Sequence, residues 1–129
     1  MELNFHPIIN IRTLLIWESV SGKQIHEITN NDDDMKNLKY SALISSGVFM
    51  TKAAFDFLYA STEFSNNFDS KFLYAIGYFN SYGKSLFKSH KIFELISLLQ
   101  ETYKIDYNTI VSKMTFQEIE RLLKIKGLI

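Results

Sequence analysis

Met114-Thr115-Phe116-Gln117-Glu118-Ile119-Glu120-Arg121-Leu122-Leu123 encodes both the start of a helix and the face it buries. Thr115 and Glu118 stand three residues apart, as a capping box requires. The Thr hydroxyl can accept from the backbone N–H of residue 118, and the Glu carboxylate can reach back to that of residue 115. Phe116, Ile119, Leu122 and Leu123 then recur at helical spacing, with Gln117, Glu118 and Arg121 between them. A strand would need alternation of period two, and none is present.

The same grammar extends outward. Upstream, Asp106 can open a short helix, and the long stretch from Ser85 to about Tyr103 carries a broad apolar stripe of Phe93, Ile96, Leu99 and Tyr103, with Ile92 and Leu95 beside them. Nearer the start of the chain, Asn10 can cap a helix running to about Val20. Ser21-Gly22 closes it, because glycine accepts the left-handed backbone just past a helix end. A connector, Lys23 to Asn31, has Ile25 and Ile28 to fasten it to the core. Asp32, Asp33 and Asp34 follow, acids placed where the positive end of a helix dipole favours them. Met35, Leu38, Ala42 and Ser45 continue that helix to Gly47.

Thr51 can cap a helix through Ala54, Phe55, Leu58 and Tyr59. Ser65-Asn66-Asn67 has turn composition. Asp69 then precedes an apolar segment from Phe72 to Phe79, interrupted at Gly77 and ended by Asn80 to Gly83. Phe72 to Ile76 alone also fits a buried strand. Glu2 to Ile9, with the only proline at Pro7, reads as a short extended segment. The expected fold is mostly α: a single domain over residues 1–129, a compact bundle of about five to seven helices with a short extended N-terminal segment.

Composition narrows the function classes. Lys plus Arg equals Asp plus Glu at 14 each, giving a formal net charge of zero. Nucleic-acid binders draw much of their affinity from a basic excess, so no nucleic-acid partner is expected. The chain has no cysteine, which removes disulfides, thiolate nucleophiles and cysteine-ligated zinc. No apolar run approaches the roughly 18 residues of a membrane span, and Met1-Glu2-Leu3-Asn4 does not open a secretory signal, so no membrane association is expected.

Each motif with chemical content is incomplete. Gly83-Lys84-Ser85 has the ending of a phosphate-binding loop, but five residues separate Gly77 from Gly83 where that loop needs four. A connection between helices fits better. His26-Glu27 would begin a zinc-protease motif if a histidine stood at position 30; Asn30 does. His6, His26 and His90 are scattered. Asp32-Asp33-Asp34 lacks the alternating ligands, central glycine and closing glutamate of a calcium loop. No acid–base, nucleophile or metal constellation is complete, so no catalytic residue, cofactor or metal is expected.

What remains is aromatic surface. Phe, Tyr and Trp make up 15% of the chain, eleven of them Phe. Such rings fill a small core, and the surplus suits a partner surface. Trp17, the lone tryptophan, reads as a core anchor or an interface anchor. An exposed patch is expected between Phe64 and Tyr82, with Phe64, Phe68, Phe72 and Tyr78 as its candidate partner-binding residues alongside Trp17.

The N-terminal third also carries a resemblance. Leu3-Asn4-Phe5 leads into Ile11-Arg12-Thr13-Leu14-Leu15-Ile16-Trp17-Glu18, then Ser21-Gly22-Lys23, a connector with Ile25 and Ile28, and an acid-led helix with Leu38-Lys39-Tyr40-Ser41-Ala42-Leu43-Ile44. The series resembles the tail assembly chaperones of long-tailed bacteriophages: an extended start, an aromatic-Glu pair, a Ser/Thr-Gly-Lys helix end and a second helix rich in Leu, Tyr and Ala. Met114 to Ile119 before Leu122-Leu123 is similar to the late helix of such proteins. The likeness covers roughly residues 3 to 46 and the final helix; Thr51 to Lys88 has no counterpart.

The resemblance implies a non-enzymatic, self-associating protein of the host cytoplasm that binds the tape-measure protein, or another phage tail protein, and keeps it soluble during tail assembly. It brings no catalytic residues. Two other readings compete. One is a small phage or mobile-element protein that inhibits a host protein by binding it. The other is a transcription-related helix-turn-helix module, which the neutral charge disfavours.

Overall fold

The computed structural model describes residues 9–60 and 70–129, without the side chains of residues 70–73 and Tyr82. Among them are eight α-helices: α1 (Ile11–Ser21), α2 (Asp32–Ser45), α3 (Lys52–Tyr59), α4 (Ser70–Tyr78), α5 (Lys84–Ser89), α6 (Ile92–Tyr103), α7 (Tyr107–Lys113) and α8 (Phe116–Ile125). The all-helical expectation holds, and no strand occurs among the described residues. The extended N-terminal segment, apart from Ile9, and the turn at Ser65-Asn66-Asn67 lie outside the described residues.

The helix starts fall where side-chain chemistry places them. Asn10, Thr51, Asp106 and Thr115 each accept a hydrogen bond from the backbone N–H three residues on. Asn31 does the same for α2, one residue before the three aspartates. Each cap satisfies a donor that the helix leaves unpaired, an interaction of about 1 kcal/mol. Gly22 ends α1 at φ 72°, with its N–H on the carbonyl of Glu18.

The helix count exceeds the expected range because one segment divides, while another runs on further than expected. Phe72 to Ile76 is helical, and α4 runs straight through Gly77. Asn80 to Gly83 does not end that helix. Phe79–Gly83 forms a π-helical turn that carries it into α5. The long segment from Ser85 to Tyr103 breaks at His90, whose extended backbone (φ −138°, ψ 140°) separates α5 from α6. Phe93 accordingly leaves the expected stripe and is 61% exposed, while Ile92, Leu95, Ile96 and Leu99 are buried.

The core is continuous. Ile11, Leu14 and Trp17 of α1 join Leu38, Ala42 and Leu43 of α2, Phe55 of α3, Phe79 of the π-turn, and Phe116, Ile119 and Leu123 of α8. Ile25 and Ile28 fasten the connector, as expected. An isolated antiparallel bridge, Asn10 to Thr115, joins the start of α1 to that of α8, with the Ile11 N–H donating to the Met114 carbonyl at 3.2 Å. The two caps thereby lock each other.

Candidate functional site

The motif behind the resemblance is a structural clasp. Trp17 is wholly buried and donates Nε1–H to the Asp34 carbonyl oxygen at 3.2 Å. Glu18 Oε2 accepts from the Ile25 N–H at 2.7 Å. Lys23 Nζ donates to Asp34 Oδ1 at 3.1 Å, and the Thr29 N–H and hydroxyl both donate to Asp34 Oδ2, at 2.9 and 2.8 Å. The aromatic-Glu pair, the Gly-Lys helix end and the last of the three acids thus tie the connector across α1 and α2. Burial pushes the Asp34 carboxyl up; the Thr29 and Lys23 contacts outweigh it and hold it below the ordinary carboxylate range. Trp17 is a core anchor, with no surface to offer a partner.

Phe64 and Phe68 lie outside the described residues, as does the side chain of Phe72. Among the described residues, Tyr78 is the one expected partner-binding residue that reaches a surface feature. Its half-buried ring packs on Phe116 with centroids 5.5 Å apart, and Phe116 meets Phe79 edge-on at 5.0 Å. This aromatic stack seats α8 against α4 and the π-turn. Gly83 permits the close approach: a Cβ there would stand 3.0 Å from the Phe116 ring.

Two clefts flank α8, one on its α4 side and one on its α5 side. The wider, about 770 Å³, is lined by Tyr74 and Tyr78 of α4, by Thr115, and by Gln117, Glu118, Glu120, Arg121, Lys124 and Ile125 of α8. The narrower, about 300 Å³, is lined by Ser85, Leu86, Ser89, His90, Glu120, Lys124 and Ile129. Glu120 and Lys124 belong to both. Tyr74 is 71% exposed and Ile125 69%, so large apolar groups edge the wider cleft. Glu120 forms its polar floor. It is buried, and its Oε1 accepts from the Tyr78 hydroxyl at 3.0 Å and from Lys124 Nζ at 3.2 Å.

No protein-family model matches the chain, and neither a curated protein nor a solved structure matches it.

The groove was legible only in part. Tyr78 belongs to the expected aromatic series, but the residues opposite it come from α8, whose apolar positions mark only its buried face. Glu120 was not among the expected residues, since an acid between Ile119 and Arg121 fits a solvated helix face equally well. A carboxylate one turn before a lysine on an amphipathic helix was the available signal.

Gly83-Lys84-Ser85 lies in the π-turn and the start of α5, a link between helices rather than a wrapped loop. Among the described residues, no three His, Cys, Asp or Glu side chains gather as metal ligands, and no helix is long and apolar enough to cross a membrane. Phe49, in the link between α2 and α3, and Phe57, on α3, are the most exposed large apolar residues described, at 89% and 81%.

Proposed function

We propose that this chain is a non-enzymatic binding protein whose α4–α8 groove takes up an amphipathic helix, and that it serves as a tail assembly chaperone for the tape-measure protein of a bacteriophage. The observation that carries the binding reading is the pair of exposed apolar groups, Tyr74 and Ile125, edging an open cleft with a fixed polar floor. Helix-in-groove recognition needs such apolar walls for anchors spaced by a turn. A tape-measure chain presents long apolar helices that aggregate when uncovered, and an all-helical partner with a groove can cover them. The choice of that partner rests on the sequence resemblance at residues 3 to 46. Self-association forms part of the same reading, with Phe49 and Phe57 as the apolar surface for a second copy.

The test is co-expression with fragments of the tape-measure protein, followed by pull-down at low and high salt. Capture should persist at high salt, because apolar anchoring is not screened. Tyr74→Ser with Ile125→Ser should abolish it without unfolding the protein. Full capture by that double variant would remove the groove from the reading. Failure of the wild type to hold any fragment would remove the tape-measure protein.

A further inference from the structure

Glu120 is 6% exposed, yet its carboxylate is only half used. Both of its hydrogen bonds, from Tyr78 and from Lys124, fall on Oε1. Oε2 has none. Nor is it sealed: among the described residues the buried side-chain oxygen lacking a partner is Asn80 Oδ1 alone. Oε2 therefore keeps some exposure, on a side chain that lines both clefts. A carboxylate more than nine-tenths buried, held in place by a tyrosine and lining a groove, is a preformed acceptor.

We propose that Glu120 Oε2 is the polar anchor of the groove and accepts a lysine or arginine side chain from the bound helix. This rests on the groove reading above and adds what the groove selects. Three features favour a cation over a neutral donor. A charge-assisted bond to a carboxylate is about twice as strong as a neutral one, the more so in a half-dry site. Lys124 neutralises the acid incompletely, since its side chain is 60% exposed and its ammonium stays largely hydrated. Tyr78 donates without bringing charge. Glu118, the other acid of the wider cleft, also takes both of its bonds on Oε1, from the Thr115 N–H and hydroxyl, but it is only half-buried and tied into the helix cap, so water screens it more than Glu120. Arg121 lines the same cleft and opposes positive charge away from Glu120, so the attraction is local to that carboxylate and suits one cation rather than several. The occupant is then an amphipathic helix with one basic residue over Glu120 and apolar residues a turn away, against Tyr74 and Ile125.

The probes are two fluorescein-labelled amphipathic helices of one pattern, Leu with Lys and Leu with Glu, titrated with the full chain and read by anisotropy. The wild type should bind the Leu/Lys helix at least roughly tenfold tighter. Glu120→Gln, which keeps an acceptor for Tyr78, should erase the preference. Lys124→Met removes the competing cation and should tighten the Leu/Lys helix several-fold. Equal binding of the two helices by the wild type, binding of neither, or a preference that survives Glu120→Gln overturns the proposal. Should Glu120→Gln fail to fold, unchanged affinity in Lys124→Met overturns it instead. Equal binding of both helices, lost in Tyr74→Ser with Ile125→Ser, would refute the cation while leaving the groove intact.

Discussion

Trp17 and Asp34 are joined by a hydrogen bond from the indole N–H to the backbone carbonyl, 3.2 Å long and wholly buried, at the first turn of α2. That carbonyl belongs to the residue whose carboxylate gathers Lys23 and Thr29. One residue of α2 therefore fixes α1 through its main chain and the connector through its side chain. Trp17→Phe keeps most of the apolar volume and strips the donor. It should destabilise the fold by roughly 1–3 kcal/mol, the cost of a small void and an orphaned carbonyl. Urea titration measures this. Trp17 is the only tryptophan, so the native emission of the wild type should be blue-shifted and move red on unfolding.

Acid should loosen the same clasp. The Asp34 carboxyl lies below its ordinary value in the folded chain, because the Thr29 and Lys23 contacts outweigh burial. The unfolded chain therefore binds the proton first. The stabilisation is fully present above the ordinary carboxylate pKa, and is lost as pH falls through it towards the lower folded value. Asp34→Asn should flatten this part of the curve and cost about 1–3 kcal/mol at neutral pH, where Lys23 and Thr29 lose a charged acceptor. Unfolding free energies measured from pH 7 into the acid range test both statements. Asp56, held down by Lys52 and then Lys36, and Asp106, held down by Thr109, add slope of the same sign from the surface.

Gly77 and Gly83 should respond oppositely to alanine. Gly77 sits inside α4 with nothing within 4 Å of an added Cβ, so Gly77→Ala should stabilise by about 0.5–1 kcal/mol by restricting the unfolded chain. A Cβ on Gly83 would come within 2.5 Å of the Phe79 ring and 3.0 Å of Phe116, both fully buried. Gly83→Ala should cost about 1–3 kcal/mol by overpacking. Thermal melts of the two variants decide it, and equal shifts would contradict the packing of the π-turn.

These glycines also mark where sequence reading stops. Caps are local: Asn10, Thr51, Asp106 and Thr115 each bond within three residues, so pattern alone reveals them. The π-turn is tertiary. It exists because Phe79 and Phe116 must meet edge-on above Gly83, and nothing between Asn80 and Gly83 separates that turn from a loop. The break at His90 is equally silent, since Ile92, Leu95, Ile96 and Leu99 would suit one long helix as well as α6. Trp17 could anchor a core or an interface by composition, and only the placement of the Asp34 carbonyl decides between them. The groove was least legible, because its walls come from segments forty residues apart, as the Tyr78–Glu120 bond, 42 positions in span, illustrates.

Tyr74 and Tyr78 lie one turn apart on α4 and should separate binding from packing. Tyr74 is largely exposed, so Tyr74→Ser should shift stability by no more than about 0.5 kcal/mol while weakening capture of a helical partner. Tyr78 does two jobs that different substitutions divide. Its ring packs on Phe116, and its hydroxyl orients Glu120. Tyr78→Ser removes both and should cost about 2–3 kcal/mol, less than the truncation of a fully buried ring because this one is half-exposed. Tyr78→Phe keeps the stack and should cost only about 0.5–1.5 kcal/mol. Glu120 then keeps Lys124 alone and can swing towards it, so the Leu/Lys preference of the groove should fall although the fold survives. Chemical denaturation paired with peptide anisotropy on all three variants measures the separation. If Tyr78→Phe retains the full preference, the tyrosine hydroxyl does not position the acid, and the carboxylate is fixed by Lys124 instead.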